Sequence, residues 1–345
     1  MDLKYFSYKT DQWHLKAIKL NQQTLVVGEN ATGKTKMQAA LFRVINTILM
    51  KPVTPTLEKV FVAAFSFLTS SDKELYYTIS VVDGKIVSEN LFYDEKNKLA
   101  ERENGKCSFY GEQDIVLPEK MSVLQAKTDL NKYPEAASVI EWANTSRRIS
   151  FSSLHPTMVE KTLTIEDMYK TLEASEISEI IDNLNELGYH IQEFKLYDLG
   201  ENMQFAYLKE QGVSKEIFAM DMSNGLYRVL YILLYMFYVS KQNVKFITID
   251  DLGEGLDYNR STKLGKIMFD FCKQHDVQLI ASSNDNFLMD TVDLNDWLIL
   301  CREGSEVSGI SNLTHPKLFE RFKRTGLRNF DIFRTDFIER HKNEG

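Results

Sequence analysis

Two glycines bracket four residues at 28–33 and run straight into Lys34 and Thr35, in the octapeptide GENATGKT. This is the spacing of a loop that wraps phosphate. Gly28 and Gly33 tolerate backbone conformations that turn successive N–H groups inward, and the helix that follows offers its positive dipole end to an anion. Glu29, Asn30, Ala31 and Thr32 complete the nest. Lys34 can then reach β- and γ-phosphates, and the Thr35 hydroxyl can ligate Mg²⁺. A chance glycine-rich turn would not need the flanks present here, the β-branched run TLVV before the loop and a helical pattern over 36–50 after it. A second constellation is KFITIDD at 245–251. Four hydrophobic or β-branched residues before an Asp are what a buried parallel strand needs to deliver Asp250 at its C-terminal edge, where it would hold Mg²⁺ through water. Asp251 follows where the chain turns, placed to orient or deprotonate an attacking water. An acidic pair alone is common in loops; downstream of GKT and ahead of Gly255-Leu256-Asp257 it gains meaning.

These residues need a scaffold. Stretches 3–9 and 13–27 read as strands before the loop, and Met37, Leu41, Val44, Ile45, Ile48 and Leu49 recur at helical spacing after it. From 60 to 110 the pattern becomes short β-rich runs, FVAAFSFL, ELYYTISVV, KIVSENLFY and CSFYG, separated by SSDK, DG and DEKN turns. They predict an antiparallel sheet, a structural lobe beside the nucleotide. An apolar run at 121–126 precedes an expected helix over 133–144. Thr164 opens a helical region whose stripe of Ile177, Ile180, Ile181, Leu184 and Leu187 Gly188 can end. Stretches 190–197 and 203–209 read as strands. No proline-rich linker divides the chain, so a single domain over 1–345 is expected: 1–59 starting the loop core, 60–118 the antiparallel lobe, 119–221 a helical and mixed lobe, and 222–345 the rest.

The 345 residues are 43% hydrophobic and 26% charged, with a formal charge of −8 that argues against a protein that coats nucleic acid. Cys107, Cys272 and Cys301 form no CxxC pair, which points away from disulfides and zinc and towards the cytoplasm. The start, MDLKYFSYKTDQWH, lacks the apolar region of a signal peptide. The most apolar stretch, 226–239, carries Arg228 and is too short to span a bilayer, so a buried helix and no membrane anchor are expected.

The sequence resembles ATPases of the ABC/SMC class, and more closely the stand-alone bacterial ATPases that share this head with OLD-type and other phage-defence proteins. GENATGKT is similar to their Walker A, ITIDDLGEGLD to Walker B running into the D-loop, MSNGLYRVLYILLYM to a shortened signature motif with its helix, and LIASSNDNFLMD to the final switch strand. The resemblance covers nearly the whole chain. It implies an α/β fold, a P-loop NTPase of ABC/SMC type with an antiparallel β lobe and a helical insertion, using ATP and Mg²⁺ and hydrolysing ATP to ADP and phosphate. It also implies that two heads meet head-to-tail, with Ser223, Asn224 and Gly225 of one contacting the γ-phosphate held by the other. Ser-Asn-Gly before an apolar helix fits such an anion contact and equally a plain N-cap. No Toprim-like acidic cluster or HNH motif occurs, so an effector activity such as a nuclease is expected in a separate partner, with phage defence as the implied context.

Two departures from that pattern matter. The catalytic Glu expected after Asp250 is Asp251, one methylene shorter, which predicts slow turnover. The switch histidine is replaced around Ser283 and Asn284, with Asn284 favoured as a neutral hydrogen-bonding sensor in the catalytic set with Lys34 and Asp251. Gln125, in SVLQAK, stands as the Q-loop candidate against a plain surface glutamine. Tyr5, Phe6 and Trp13 stand as candidates to stack on adenine against the commoner reading as core residues. The basic, aromatic-rich stretch 315–342 could hold nucleic acid or a partner, or pack its Phe residues into the head as a terminal helix. A transporter subunit is the first rival, but the chain lacks an LSGGQ-type signature and a clear Q-loop. A nucleotide-gated scaffold with little hydrolysis is the second. The third is a DNA-clamping repair head, whose relatives carry a heptad run absent here.

Overall fold

The structure is a computed structural model that describes residues 1–51, 58–69, 71–93, 97–127, 129, 131–151, 163–200 and 203–341. Of the expected turns, Ser70 of SSDK and 94–96 of DEKN lie outside the described residues. The chain opens with β1 (Asp2–Lys9), β2 (His14–Lys19) and β3 (Gln23–Val27), and α1 (Lys34–Ile48) leaves the glycine loop. The expected strand over 13–27 is thus two strands. Its pattern breaks at 20–22, where the Asn21 N–H donates to Thr24 Oγ1 at 3.1 Å and turns the chain.

An antiparallel meander follows: β4 (Val60–Leu68), β5 (Glu74–Val82), β6 (Lys85–Phe92), β7 (Lys98–Glu103), β8 (Lys106–Phe109) and β9 (Glu112–Ile115). It is joined to the rest edge to edge, because β1 pairs with β4 on one side and β2 on the other. The lobe and the core therefore share one 14-stranded sheet. Next come α2 (Pro134–Thr145) and β10 (Ser146–Ile149), then α3 (Ile165–Tyr169) and α4 (Ala174–Glu186). Thr164 caps α3 through a capping box, and Gly188, at φ +81°, lies just past α4. Strands β11 (Ile191–Asp198), β12 (Gln204–Glu210) and β13 (Ile217–Phe218) make a separate three-stranded sheet.

The remainder alternates helices and strands: α5 (Asn224–Ser240), β14 (Phe246–Ile249), α6 (Tyr258–Gln274), β15 (Gln278–Ser282), α7 (Asn286–Thr291), β16 (Trp297–Glu303), β17 (Glu306–Ser311), α8 (Pro316–Lys323), α9 (Asp331–Arg334) and α10 (Phe337–His341). Strands β3, β14 and β15 are buried on both faces, as continuous apolar runs require. Leu25, Val27, Ile247, Ile249, Leu279 and Ala281 face the core built with α5 and α6, whereas Val26, Phe246 and Ile280 face the core shared by α1, α2 and the meander. Trp142 of α2 joins the meander to the parallel strands, with its ring 4.9 Å from Phe67 and 5.3 Å from Phe246. The 226–239 stretch forms the buried α5, and among the described residues no helix is long and apolar enough to cross a membrane. The aromatic-rich C-terminal stretch packs inward: Phe319, Phe322 and Phe337 join the α5–α6 core.

One buried charge holds the meander. Glu89 of β6 accepts from Tyr77 Oη (2.7 Å), from the Val123 N–H (2.7 Å) and from Ser122 Oγ. Burial raises its carboxyl above the ordinary range against those donors and the charge of Arg102. Glu89→Ala would orphan three buried donors and is expected to lower stability by about 3 kcal/mol. Urea unfolding tests this; a loss below about 1 kcal/mol would show that water satisfies the donors.

Candidate active site

Strands β10, β14, β15, β3 and β16 lie side by side and parallel, so their C-terminal ends share one edge of the sheet. Such an edge is where α/β sheets receive ligands. The loop leaves β3 there, Asp250 leaves β14, Ser283 and Asn284 leave β15, and Arg302 sits at the end of β16.

The loop is tightly built. Gly28 has φ +153°, and a Cβ on it would lie 2.7 Å from the Leu300 carbonyl oxygen and 2.9 Å from Thr32 Oγ1. Gly33, at φ +106°, packs against the Trp13 ring. Ala31 is left-handed at φ +64°. Helices α5, α6 and α7 begin with side-chain caps from Ser223, Asp257 and Asp285, but α1 begins at Gly33 with none, which leaves its first N–H groups for an anion. Lys34 Nζ is held by the Gly28 and Glu29 carbonyls at 2.8 and 3.0 Å. Burial pulls its ammonium below the ordinary value while Asp251 and Asp250 oppose the shift.

Thr35 Oγ1 donates to Asp250 Oδ1 at 3.1 Å, and Ser282 Oγ donates to the same oxygen at 2.8 Å. Asp250 is 1% exposed, and its other oxygen, Oδ2, has no hydrogen-bond partner among the described residues. A buried carboxylate oxygen without a donor, beside a threonine hydroxyl, fits a hard cation such as Mg²⁺. Asp251 sits on the turn at φ +54°, its N–H on Ser282 Oγ at 3.0 Å. Burial, then Asp250 and Glu254, raise its carboxyl above the ordinary aspartate value, with Lys34 and Arg228 opposing. Arg228 of α5 donates to the Asp251 and Glu254 carbonyls, both at 2.9 Å, and to Glu254 Oε2 at 3.0 Å. It fixes that turn to α5, the helix opened by Ser223.

No protein-family model matches the sequence, and no curated protein matches it. Solved structures do. An Smc head bound to the C-winged helix domain of ScpA is matched over 90% of this chain and 98% of its own, at 12% identity and TM-score 0.57. An Smc head with an extended coiled coil, bound to the C-terminal domain of ScpA derived from Pyrococcus furiosus, is matched over 93% and 99%, at 12% identity and TM-score 0.53. The fold is that of an SMC head domain. At 12% identity the likeness is one of architecture.

Within this SMC-type head, Gly28 to Thr35, Asp250, Asp251 and Asn284 gather at the one edge. Asn284 Nδ2 donates to Asn30 Oδ1 at 3.0 Å, so the switch position touches the loop. Ser283 is turned inward and donates to the Leu252 carbonyl at 2.7 Å. Ser223, Asn224 and Gly225 lie at the start of α5; Ser223 Oγ accepts from the Leu226 N–H at 3.3 Å, and Ser223 and Asn224 are exposed. Gln125 is a correction. Its Nε2 donates to the Ile48 carbonyl at 3.1 Å, at the far end of α1 and about 20 Å along that helix from the loop. On the side away from β15, β14 is bordered by β10, whose Ile149 carbonyl accepts the Asp250 N–H at 2.9 Å, so Ser150 is the residue that leaves the sheet there. Phe6 and Trp13 are core residues, and Tyr5 is partly exposed beneath Lys19.

Sequence reasoning missed Ser282, Arg228 and Arg302. Ser282 orients both acids, yet it adjoins Ser283 in ASSNDN, and strand alternation alone could have separated the two. Arg228 was visible as an isolated charge in an apolar helix.

Proposed function

We propose that this head binds and hydrolyses ATP, dimerises head-to-tail around it, and drives or gates a separate effector protein in the cytoplasm. The observation that carries the reading is the meeting of Thr35 and Asp250 at 3.1 Å, with a buried, partnerless Asp250 oxygen and Lys34 on loop carbonyls beside it. When Mg²⁺ is bound it neutralises charge on the β- and γ-phosphates. Thr35 and Asp250 hold that ion. Lys34, released from the Gly28 and Glu29 carbonyls, pairs with phosphate oxygens. Asp251 accepts the proton of the attacking water, and Asn284 fixes a γ-phosphate oxygen by hydrogen bond. Ser223, Asn224 and Gly225 present the α5 N-terminus to the partner's nucleotide. The solved SMC heads bound to ScpA give precedent for a protein partner. A nuclease-like effector in phage defence follows only from the resemblance of the sequence motifs.

A nucleotide-gated scaffold remains the second reading, favoured by the short Asp251 and by Asn284 standing where a switch histidine would carry charge. The test of assembly is solution mass with and without ATP–Mg²⁺, for wild type and Asn224→Glu. A carboxylate in the first turn suits the helix dipole, so the fold persists, while it repels a nucleotide docked from the partner. Wild type is expected to double in mass with ATP, and Asn224→Glu to bind ATP yet stay monomeric. An unchanged wild-type mass, or an Asn224→Glu dimer, would remove the head-to-tail arrangement.

A further inference from the structure

A second cation stands at the rim of the loop, outside every motif. Strand β16 runs parallel to β3 in the register Leu298 to Val26 and Ile299 to Val27, which sets the Leu300 carbonyl against Gly28 and carries the chain on past the loop tip. There Arg302 Nη1 donates to the Ala31 carbonyl at 2.9 Å, and Nε donates to the Gly304 carbonyl at 2.8 Å in the β16–β17 turn. The guanidinium is thereby held at two points, and its Nη2 makes no hydrogen bond among the described residues. On the other flank Asn284 holds Asn30. The loop tip is therefore gripped from both neighbouring strands.

Ala31 is the residue that needs the grip. It adopts φ +64° without being glycine, a conformation that persists only where its surroundings impose it. We propose that Arg302 is a positioning residue of the nucleotide site: it pins the Ala31 carbonyl outward, so that the loop's N–H groups stay turned towards phosphate, and it adds a permanent positive charge where the switch strand offers only Asn284. The inference rests on the reading of this loop as an ATP site. Arginine suits the task because its planar fork presents Nε and Nη1 to two carbonyls in a fixed geometry and is charged at every working pH; a lysine ammonium is a point charge on a flexible stem without that fixed fork. Arg302 is exposed, and its removal leaves the core untouched.

The experiment compares wild type, Arg302→Ala and Arg302→Lys in three readouts. These are the dissociation constant of a fluorescent ATP analogue with Mg²⁺, the melting temperature without nucleotide, and hydrogen exchange of the amides at 29–33. Arg302→Ala is expected to weaken binding about tenfold, the scale of one charge-assisted hydrogen bond. It should leave the nucleotide-free melting temperature unchanged and speed exchange of the loop amides. Arg302→Lys should fall between the two. Wild-type affinity and exchange in Arg302→Ala would overturn the proposal, as would an affinity loss that follows only a fall in melting temperature. A wild type that binds no ATP would instead sink the reading of the site, while the exchange data still decide whether Arg302 holds the loop.

Discussion

Lys34→Ala is expected to abolish phosphate release, lowering kcat/KM by about a thousandfold, and to weaken ATP binding. Lys34 is 6% exposed and rests on the Gly28 and Glu29 carbonyls, so its ammonium is already inside the loop that would receive the phosphates. Alanine removes the cation and leaves two carbonyl oxygens facing an incoming anion. Binding of a fluorescent ATP analogue and a phosphate-release assay measure both effects. Hydrolysis within about tenfold of wild type would mean that GENATGKT is a turn and not a phosphate site.

Asp251→Asn is expected to lower turnover by about a hundredfold or more, the scale of a lost general base, with ATP binding intact. Without hydrolysis the ATP-held dimer should persist, so the same variant should accumulate as the larger species. Unchanged assembly with unchanged, very low phosphate release would instead favour the scaffold. The pH dependence has a definite sign. Burial, Asp250 and Glu254 raise the Asp251 carboxyl above 3.8, and the base works only when ionised. The acid limb of the kcat/KM profile, which reports the nucleotide-free protein, should therefore lie above that of an ordinary aspartate and vanish in Asp251→Asn. The folded protein holds this proton more tightly than the unfolded chain does. Its stabilising contribution is complete below the unfolded value and disappears as pH rises through the raised folded value. At neutral pH the ionised Asp251 thus costs stability, and Asp251→Asn should melt at a higher temperature than wild type while losing activity.

Much of the site was legible because its information is local. GENATGKT carries its own turn residues, FITI before Asp250 carries its own burial, and Ser223 ahead of an apolar helical run carries its own cap. The meander was legible as strands from alternation, but not as an extension of the core sheet. That depends on β1 pairing with β4 across chain that carries no pairing signal.

The same distinction separates the residues around the glycine loop. Composition, periodicity and motif spacing by themselves pointed to a glycine-rich loop of the phosphate-binding pattern between strand and helix, and to a buried strand ending in Asp250 and Asp251; the ABC/SMC-type head followed from the resemblance of the motifs. Only the tertiary structure decided that Gln125 belongs to the far end of α1, that Ser282 and not Ser283 orients the acids, and that Arg228 and Arg302 brace the two turns. The reason is that neighbours in a parallel sheet are set by crossovers. Strand β14 reaches β15 through α6 and β15 reaches β16 through α7, while β3 inserts between β15 and β16 from far back in the chain. Which side chains end beside the loop therefore follows from strand order and register, and neither is written in any local stretch of the chain.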